Sequence, residues 1–236
     1  MEYKQLTACP FCGLKDTYSR LALKCDLGSD NSIVYAICQC GYIFADYFMA
    51  DVEGFYKSEY HEQVNVKYNT EGVSPEVINN EAKRADMLMP VIEQFGTITS
   101  ALDFGSSSGF LLGEIKQKFN CDVWGVELSE IYRDYSNING VPCVDDIDKI
   151  DGTFHLITCI HVLEHALDPS KILNGLHAKG DKNTTYIFQV PFFSYGLWHP
   201  VLYSYNMLAT VLDAFGFAPT KQLLNPANLT FIARKK

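Results

Sequence analysis

The sequence predicts an α/β protein: a doubly wound, mostly parallel sheet with an antiparallel edge strand, joined to a small β-rich N-terminal subdomain. Three observations carry this. From residue 97 onward, short apolar β-type runs alternate with segments of helical periodicity, as in a parallel sheet covered on both faces. The last of these helices precedes two consecutive strand-like runs, which suit an antiparallel hairpin. Residues 1–50 instead hold two close cysteine pairs among short β-type stretches. The chain therefore divides into a cysteine-bearing subdomain at 1–50, an aromatic linker and helix at 51–96, and the α/β domain at 97–236.

The elements follow in order. In the first zone SIVYAI and GYIFADYF read as strands. In the second, Ser74-Pro75 opens a helix over PEVINNEAKRADMLMPVIEQF. Its Val77, Ile78, Ala82, Ala85, Leu88, Val91, Ile92 and Phe95 fall at helical spacing, and Pro90 is a candidate kink. Strands are then expected at ITSALDF, CDVWGVEL, VPCV, FHLITCI and TTYIFQV. Helices are expected between them at GFLLGEIKQKF, SEIYRDYSNI and DPSKILNGLHA. A final helix near YNMLATVLDAF precedes strands around FAPTKQLL and LTFIARK. Ligands of such sheets lie beyond the carboxyl ends of the strands, so chemistry is expected in the loops after Phe104 and Ile160.

Composition narrows the class of partner. A chain of 236 residues with 47% hydrophobic content can bury a substantial core. Its formal charge of -9 argues against a grip on nucleic acid or on anionic membrane. The start, MEYKQLTACP, has no apolar leader segment, and no apolar run approaches the roughly 18 residues of a membrane span. The expectation is a cytoplasmic protein with reduced thiols, acting on a small molecule and not on nucleic acid or membrane. Cys121, Cys143 and Cys159 lie in or beside apolar segments and read as buried, inert thiols.

The stretch LDFGSSSGFLL fits two chemistries. As G-x-S-x-G (Gly105, Ser107, Gly109) it is a hydrolase nucleophile elbow, with Asp168 and His199 as nominal partners. As a glycine-bearing strand-to-helix turn it is a nucleotide-cofactor cradle. The elbow normally follows several strands of its own sheet, whereas here the first clear sheet strand is the one that runs into the loop. The cradle uses more residues. Asp103 ends the strand, Gly105 and Gly109 let backbone approach a ligand, and Glu127 ends the next strand. That carboxylate lies about 20 residues on, where an acid accepts both hydroxyls of a ribose. The same pattern also serves NAD, although the full G-x-G-x-x-G is absent.

Together, LDFGSSSGFLL, WGVELSE, DGTFHLITCIHVLEHALDP and QVPFFSYGLWHPVLYSYNMLATVLDAFGF resemble the class I S-adenosylmethionine-dependent methyltransferases, over about residues 97–234. That family carries an L-D-x-G-x-G-x-G loop and an acid after the second strand. It also carries V-L-E-H-x-x-D-P after the fourth strand and a histidine-bearing loop after the fifth. Ser107 stands where the middle glycine is usual, and His155 where F-D is usual. The resemblance implies a Rossmann-like fold with S-adenosylmethionine bound by Asp103, Gly105, Ser107, Gly109 and Glu127. It adds Leu128 against the adenine, Asp145 or Asp146 near the adenine amino group, and His161 beside the cofactor. The alternative for either aspartate is a solvated acidic loop.

HVLEH also matches H-x-x-E-H, a zinc-protease helix motif, but here it follows a parallel strand directly. Three roles stand open for it. His165 or Glu164 acts as the base for a substrate proton. Or Glu164, His165 and His199 hold a divalent metal that polarises a substrate hydroxyl. Or His165 is structural. His61, His155 and His177 read as ordinary surface or satisfied histidines. Tyr56, Tyr60 and His61, just before the core, either close over the substrate or pack linker against domain.

Cys9-Pro-Phe-Cys12-Gly and Cys38-Gln-Cys40-Gly resemble the two knuckles of a zinc ribbon, which implies structural zinc on Cys9, Cys12, Cys38 and Cys40, with Cys25 a candidate substitute. A redox C-x-x-C is the other reading. The ribbon, F-Y-x-x-x-Y and the core together resemble a shortened deoxysugar C-methyltransferase. The function implied is methyl transfer to a small hydroxylated acceptor, a sugar or sugar nucleotide, by O-methylation. The alternatives are C-methylation of a nucleotide deoxysugar and, from another class, a non-catalytic zinc-ribbon binding module with a degenerate cofactor fold.

Overall fold

The computed structural model describes residues 3–15, 18–24, 32–49, 51, 54–57, 72–193, 199–225 and 227–236. The main sheet has seven strands: β6 (Ser100–Phe104), β7 (Asp122–Val126), β8 (Cys143–Val144), β9 (Leu156–Ile160), β10 (Thr185–Pro191), β11 (Phe217–Asn225) and β12 (Asn228–Lys235). Their order is β11-β12-β10-β9-β6-β7-β8. Strands β6 to β10 are mutually parallel, and β12 runs antiparallel to both β10 and β11. The expected tail hairpin is thus the antiparallel margin of the sheet. Strand order reverses at β6, which lies between β7 and β9, so their carboxyl ends frame the crevice where a ligand sits.

Helices α1 (Pro75–Ile92), α2 (Phe110–Phe119), α3 (Glu130–Ile138), α4 (Ser170–Ala178) and α5 (Tyr205–Ala214) connect the strands. Neighbouring residues of the central strands serve different cores. Ala101, Leu156 and Ile187 pack with Leu88 and Ile92 of α1 and Leu112 and Ile115 of α2. Leu102, Ile157 and Phe188 pack with Leu173 of α4 and Leu208 of α5. Both faces are covered, which is why these strands are apolar without alternation. Ser74 caps α1 by accepting from the Glu76 N–H, and Pro75 occupies the first turn. Pro90 falls in the last turn of α1, which ends at Ile92 and tightens into a 3-10 turn over Glu93–Phe95.

Five strands precede α1: β1 (Tyr3–Gln5), β2 (Tyr18–Lys24), β3 (Ser32–Cys38), β4 (Ile43–Ala45) and β5 (Tyr47–Met49). They form the sheets β2-β3-β4 and β1-β5. The single strand expected at GYIFADYF is therefore two. The break is Asp46, whose N–H donates to the Val34 carbonyl (2.8 Å) and whose carboxylate takes the Arg20 Nε–H (2.8 Å). Both bonds turn the chain out of β4 and into the second sheet. Tyr35, Phe44 and Ala45 join the same apolar cluster as Leu163, Tyr203 and Leu208. Among the described residues, no helix is long and apolar enough to cross a membrane.

Candidate active site

Asp103, near the end of β6, is buried and accepts the Thr158 hydroxyl at 2.6 Å. Burial pushes its carboxyl up to about 7; Thr158 opposes this, and Glu81 and Glu127 add to it. The loop that follows takes a left-handed backbone at every second residue: Gly105 (φ 78°), Ser107 (φ 47°) and Gly109 (φ 78°). A β-carbon on Gly105 would collide with Val162 Cγ2, and one on Gly109 with Ser136 Oγ. Glycine is required at both positions by space as well as by φ. Ser107 tolerates its conformation at a cost on the order of 1 kcal/mol, so the missing middle glycine does not break the turn.

The loop is tied to β7. The N–H groups of Gly105 and Ser106 donate to the Val126 carbonyl at 2.8 and 3.0 Å. The Ser107 N–H donates to Glu127 Oε2 (3.0 Å), and the Ser129 N–H to Glu127 Oε1 (2.9 Å). A carboxylate has about four lone-pair sites, so two remain for the paired hydroxyls of a ribose. Burial raises the Glu127 carboxyl, the two backbone N–H groups pull it down, and Glu81 pushes it up again. Arg133 Nη1 donates to the Glu127 carbonyl (3.0 Å) and to that of half-buried Leu128, fixing the turn. Beyond β8, Asp145 pairs with Lys149 at 2.6 Å, and Asp146 caps a 3-10 turn by accepting from the Asp148 N–H (3.1 Å). The acids at 81, 103 and 127 suit a ligand that carries positive charge, and the glycine cradle suits one whose backbone contacts are close. S-adenosylmethionine, with its sulfonium and ammonium, fits both.

After β9, His161 takes a left-handed backbone (φ 56°), and Leu163–His165 forms a 3-10 turn. This is not the helix a zinc protease needs. Glu164 is 1% exposed, and neither carboxylate oxygen has a hydrogen-bond partner among the described residues. Its Oε1 lies at ion-pair distance from His161 Nδ1 (3.3 Å) and His165 Nε2 (3.8 Å). Burial works to raise this carboxyl, yet the two histidines hold it below its usual range. The Tyr56 hydroxyl and His165 Nδ1 are hydrogen-bonded at 2.8 Å. The His165 and His199 rings meet edge-on, with centroids 5.0 Å apart. One donor atom each from Glu164, His165 and His199 lies within 4.8 Å of the others. The residues singled out in the sequence therefore gather in two groups, the loop with Asp103 and Glu127 and the turn with Glu164, His165 and His199. Val162 packs on Gly105 between them.

The four paired cysteines converge as well. Sγ atoms lie 3.8 Å apart for Cys9 and Cys40 and 3.6 Å for Cys12 and Cys38, all four within 4.8 Å of one another. A tetrahedron with Zn–S bonds of 2.3 Å has edges of about 3.8 Å, so the donor set fits zinc. Burial pushes the Cys40 thiol up to about 11 and the Cys9 thiol further. Four thiolates can coexist at this spacing only around a cation. Cys121, Cys143 and Cys159 are buried free thiols, as expected. Thr99 holds His155, and His177 packs against Phe217. Cys25, Tyr60 and His61 lie outside the described residues.

Sequence reasoning missed Glu81, Thr158, Arg133, Tyr35 and Tyr42. Glu81 had a signal: it stands on the apolar stripe of α1 with Ile78, Ala85 and Leu88, where a carboxylate is out of place. Its partner is the buried Ser108 hydroxyl.

Residues 25–222 match a family described as a methyltransferase domain. No curated protein sequence matches the chain. Among solved structures, magnesium protoporphyrin IX methyltransferase from Synechocystis, with S-adenosylhomocysteine bound, is 14% identical, with a TM-score of 0.58 over 78% of this chain and 98% of that one. A sugar N-methyltransferase from Streptoalloteichus is 13% identical, with a TM-score of 0.55 over 71% and 94%. Geranyl diphosphate C-methyltransferase from Streptomyces coelicolor is 12% identical, with a TM-score of 0.55 over 66% and 76%. At these identities the likeness is one of fold. By the matched region, which spans most of its length, the chain belongs to the methyltransferase-domain family and is an S-adenosylmethionine-dependent methyltransferase.

Proposed function

We propose that the chain moves the methyl group of S-adenosylmethionine to a hydroxyl of a small acceptor, a sugar or sugar nucleotide, with His165 as the base. The observation that carries this is the setting of His165. It stands at the carboxyl end of β9, beside the cofactor loop, with one ring nitrogen on the Tyr56 hydroxyl and the other toward buried Glu164. Bound cofactor supplies a methyl group activated by a sulfonium. The chain's own residues supply alignment and a proton sink. Glu127 holds the ribose, Asp103 and Glu81 face the cationic end, and Leu128 and Asp145 or Asp146 border the adenine. Tyr56 orients the His165 ring so that Nε2 accepts the acceptor's hydroxyl proton, and Glu164 favours the imidazolium that results. The ring pair Phe192 and Phe193, with centroids 5.4 Å apart at the end of β10, offers an apolar face for the CH side of a sugar ring. The relatives in fold act, by their names, on a porphyrin, a sugar and geranyl diphosphate.

A second reading is favoured by the buried Glu164 carboxylate, whose oxygens take no hydrogen bond among the described residues and face two histidines. Glu164, His165 and His199 would hold a divalent cation that polarises the acceptor hydroxyl, a carboxylate and two imidazoles being a suitable set. One experiment separates the two readings. Formation of S-adenosylhomocysteine is followed on a panel of sugars and sugar nucleotides, for wild type, His165→Ala and chelator-treated protein. Loss of about 100-fold or more in His165→Ala, with chelator-treated protein fully restored by one equivalent of zinc alone, supports the base. Recovery of chelated protein by Mg2+ or Mn2+ supports the cation, and near-normal turnover of His165→Ala rejects both. A methyl ether in the product separates O-methylation from the C-methylation of a deoxysugar. The four-cysteine site we assign to structural zinc, in a subdomain at 1–50 ahead of the linker at 51–96 and the methyltransferase domain at 97–236.

A further inference from the structure

We infer that the cysteine-bearing sheet is the positioning frame of the acceptor-side histidines, acting through Tyr35 and Tyr42, and that zinc on the four thiolates keeps this frame closed. Its meaning for catalysis rests on the reading of His165 and His199 given above; its geometry does not.

Strand β3 carries both Tyr35 and Cys38, and the turn from β3 to β4 carries Cys40 and Tyr42. Both tyrosines are buried, and both hydroxyls leave their own sheet. Tyr35 donates to the His199 carbonyl at 2.8 Å, and Tyr42 donates to the Leu167 carbonyl at 3.0 Å, just past His165. The two tyrosines thus grip backbone on either side of the His165–His199 contact. Main chain reinforces the grip. The Ala45 N–H donates to the Pro200 carbonyl (2.7 Å) and the Leu202 N–H to the Ile43 carbonyl (3.1 Å), with a bridge between Phe44 and Val201. On its other side the Val201 N–H donates to the Glu164 carbonyl (3.2 Å). Residues 199–202 lie outside the seven-stranded sheet, so β4 on one side and the histidine turn on the other set where His199 stands.

The thiolate site sits at the base of this frame. The turn closes through Cys38 N–H to the Tyr42 carbonyl and Gly41 N–H to the Cys38 carbonyl, each 2.9 Å. A cation shared by Cys9, Cys12, Cys38 and Cys40 ties that turn to the Cys9–Cys12 turn. Without it, the thiols no longer hold the two turns together, and the end of β3 and the segment bearing Tyr42 are free to move apart from residues 199–202. A chain whose histidines move by about 1 Å keeps its cofactor site and loses alignment with the acceptor.

The test uses the full chain, loaded with one equivalent of zinc or stripped by chelator, and reads amide hydrogen exchange with S-adenosylhomocysteine as the binding probe. On stripping, the amides of Ala45 and Leu202 should exchange at least about 10-fold faster, while those of Gly105 and Ser106, which donate within the cofactor site, stay within about twofold. Affinity for S-adenosylhomocysteine should likewise hold. The double variant Tyr35→Phe with Tyr42→Phe keeps both rings and should keep full zinc content. It should still speed Leu202 exchange and weaken the nuclear Overhauser contact between the His165 and His199 rings. Unchanged exchange at Ala45 and Leu202 on stripping, or a chain that takes up no zinc, overturns the role of the metal. Unchanged Leu202 exchange and an unchanged ring contact in the double variant overturn the role of the tyrosines. Parallel loosening of Gly105 and Ser106 on stripping also overturns the inference, because it marks global opening. Full methyl transfer by His165→Ala would overturn the catalytic reading and leave the frame standing.

Discussion

Gly105 and Val162 meet so closely that no β-carbon fits between them. The loop after β6 and the histidine turn after β9 are packed against each other at this point, so the proposed cofactor and acceptor halves of the site share one contact. Gly105→Ala is expected to force them apart and weaken S-adenosylhomocysteine binding by at least about 10-fold, with a left-handed penalty of roughly 1 kcal/mol in addition to the collision. Val162→Ala in the same chain removes the collision and should restore most of the loss. Calorimetric titration of the two single variants and the double variant decides; purely additive effects would refute the contact.

Glu127 accepts two backbone N–H groups and keeps capacity for two hydroxyls. Glu127→Ala should cost about 1.5–3 kcal/mol of cofactor binding, roughly 10- to 100-fold in Kd. A ligand that lacks the ribose hydroxyls should lose little further affinity in this variant, whereas it loses much with wild type. Equal affinities of wild type and Glu127→Ala for S-adenosylmethionine would remove the ribose assignment.

Asp103 titrates near 3.8 when unfolded and near 7 when buried in the folded chain. Between those values the folded protein keeps a proton that the unfolded chain has lost, so this residue lowers stability as pH rises through that window. A cationic ligand beside it favours the carboxylate. Binding of S-adenosylmethionine should therefore release protons at about pH 6 and almost none at about pH 8.5, with affinity rising between. Calorimetry in two buffers of different ionisation enthalpy measures the release. Asp103→Asn should abolish it and make the unliganded protein more stable at neutral pH.

Tyr56 fixes the orientation of the His165 ring, because its hydroxyl is hydrogen-bonded to Nδ1 at 2.8 Å. Tyr56→Phe keeps the ring and is expected to lower methyl transfer by roughly 10-fold with cofactor Kd unchanged. A parallel loss of cofactor affinity would place Tyr56 on the other half of the site.

What could be read from the sequence was local. HVLEH follows the apolar run FHLITCI, so its place at a strand end needed only β periodicity, and LDFGSSSGFLL needed only its glycines. The pairing of Ser107 with Glu127 joins the ends of consecutive strands, which strand order alone suggests. Glu81 lies on the buried stripe of α1, and its carboxylate is a misfit until the Ser108 hydroxyl is seen beside it. Tyr35 and Tyr42 are indistinguishable in sequence from any other core tyrosine, since their acceptors are carbonyls from a distant part of the chain. The break at Asp46 depends on Arg20 and Val34, so one continuous strand was the natural reading there.

The bonds of the two halves differ in how much chain they enclose. Ser107 meets Glu127 across 20 residues, while Tyr35 meets His199 across 164. Closing the longer loop costs about 2 kcal/mol more chain entropy, before any contact at its far end is made. During synthesis the bond between Ser107 and Glu127 can form once β7 and its turn have emerged, whereas the tyrosine clasp must wait for residues 199–202. A newly made molecule thus closes the local tie of the loop after β6 well before the clasp on His199 can form.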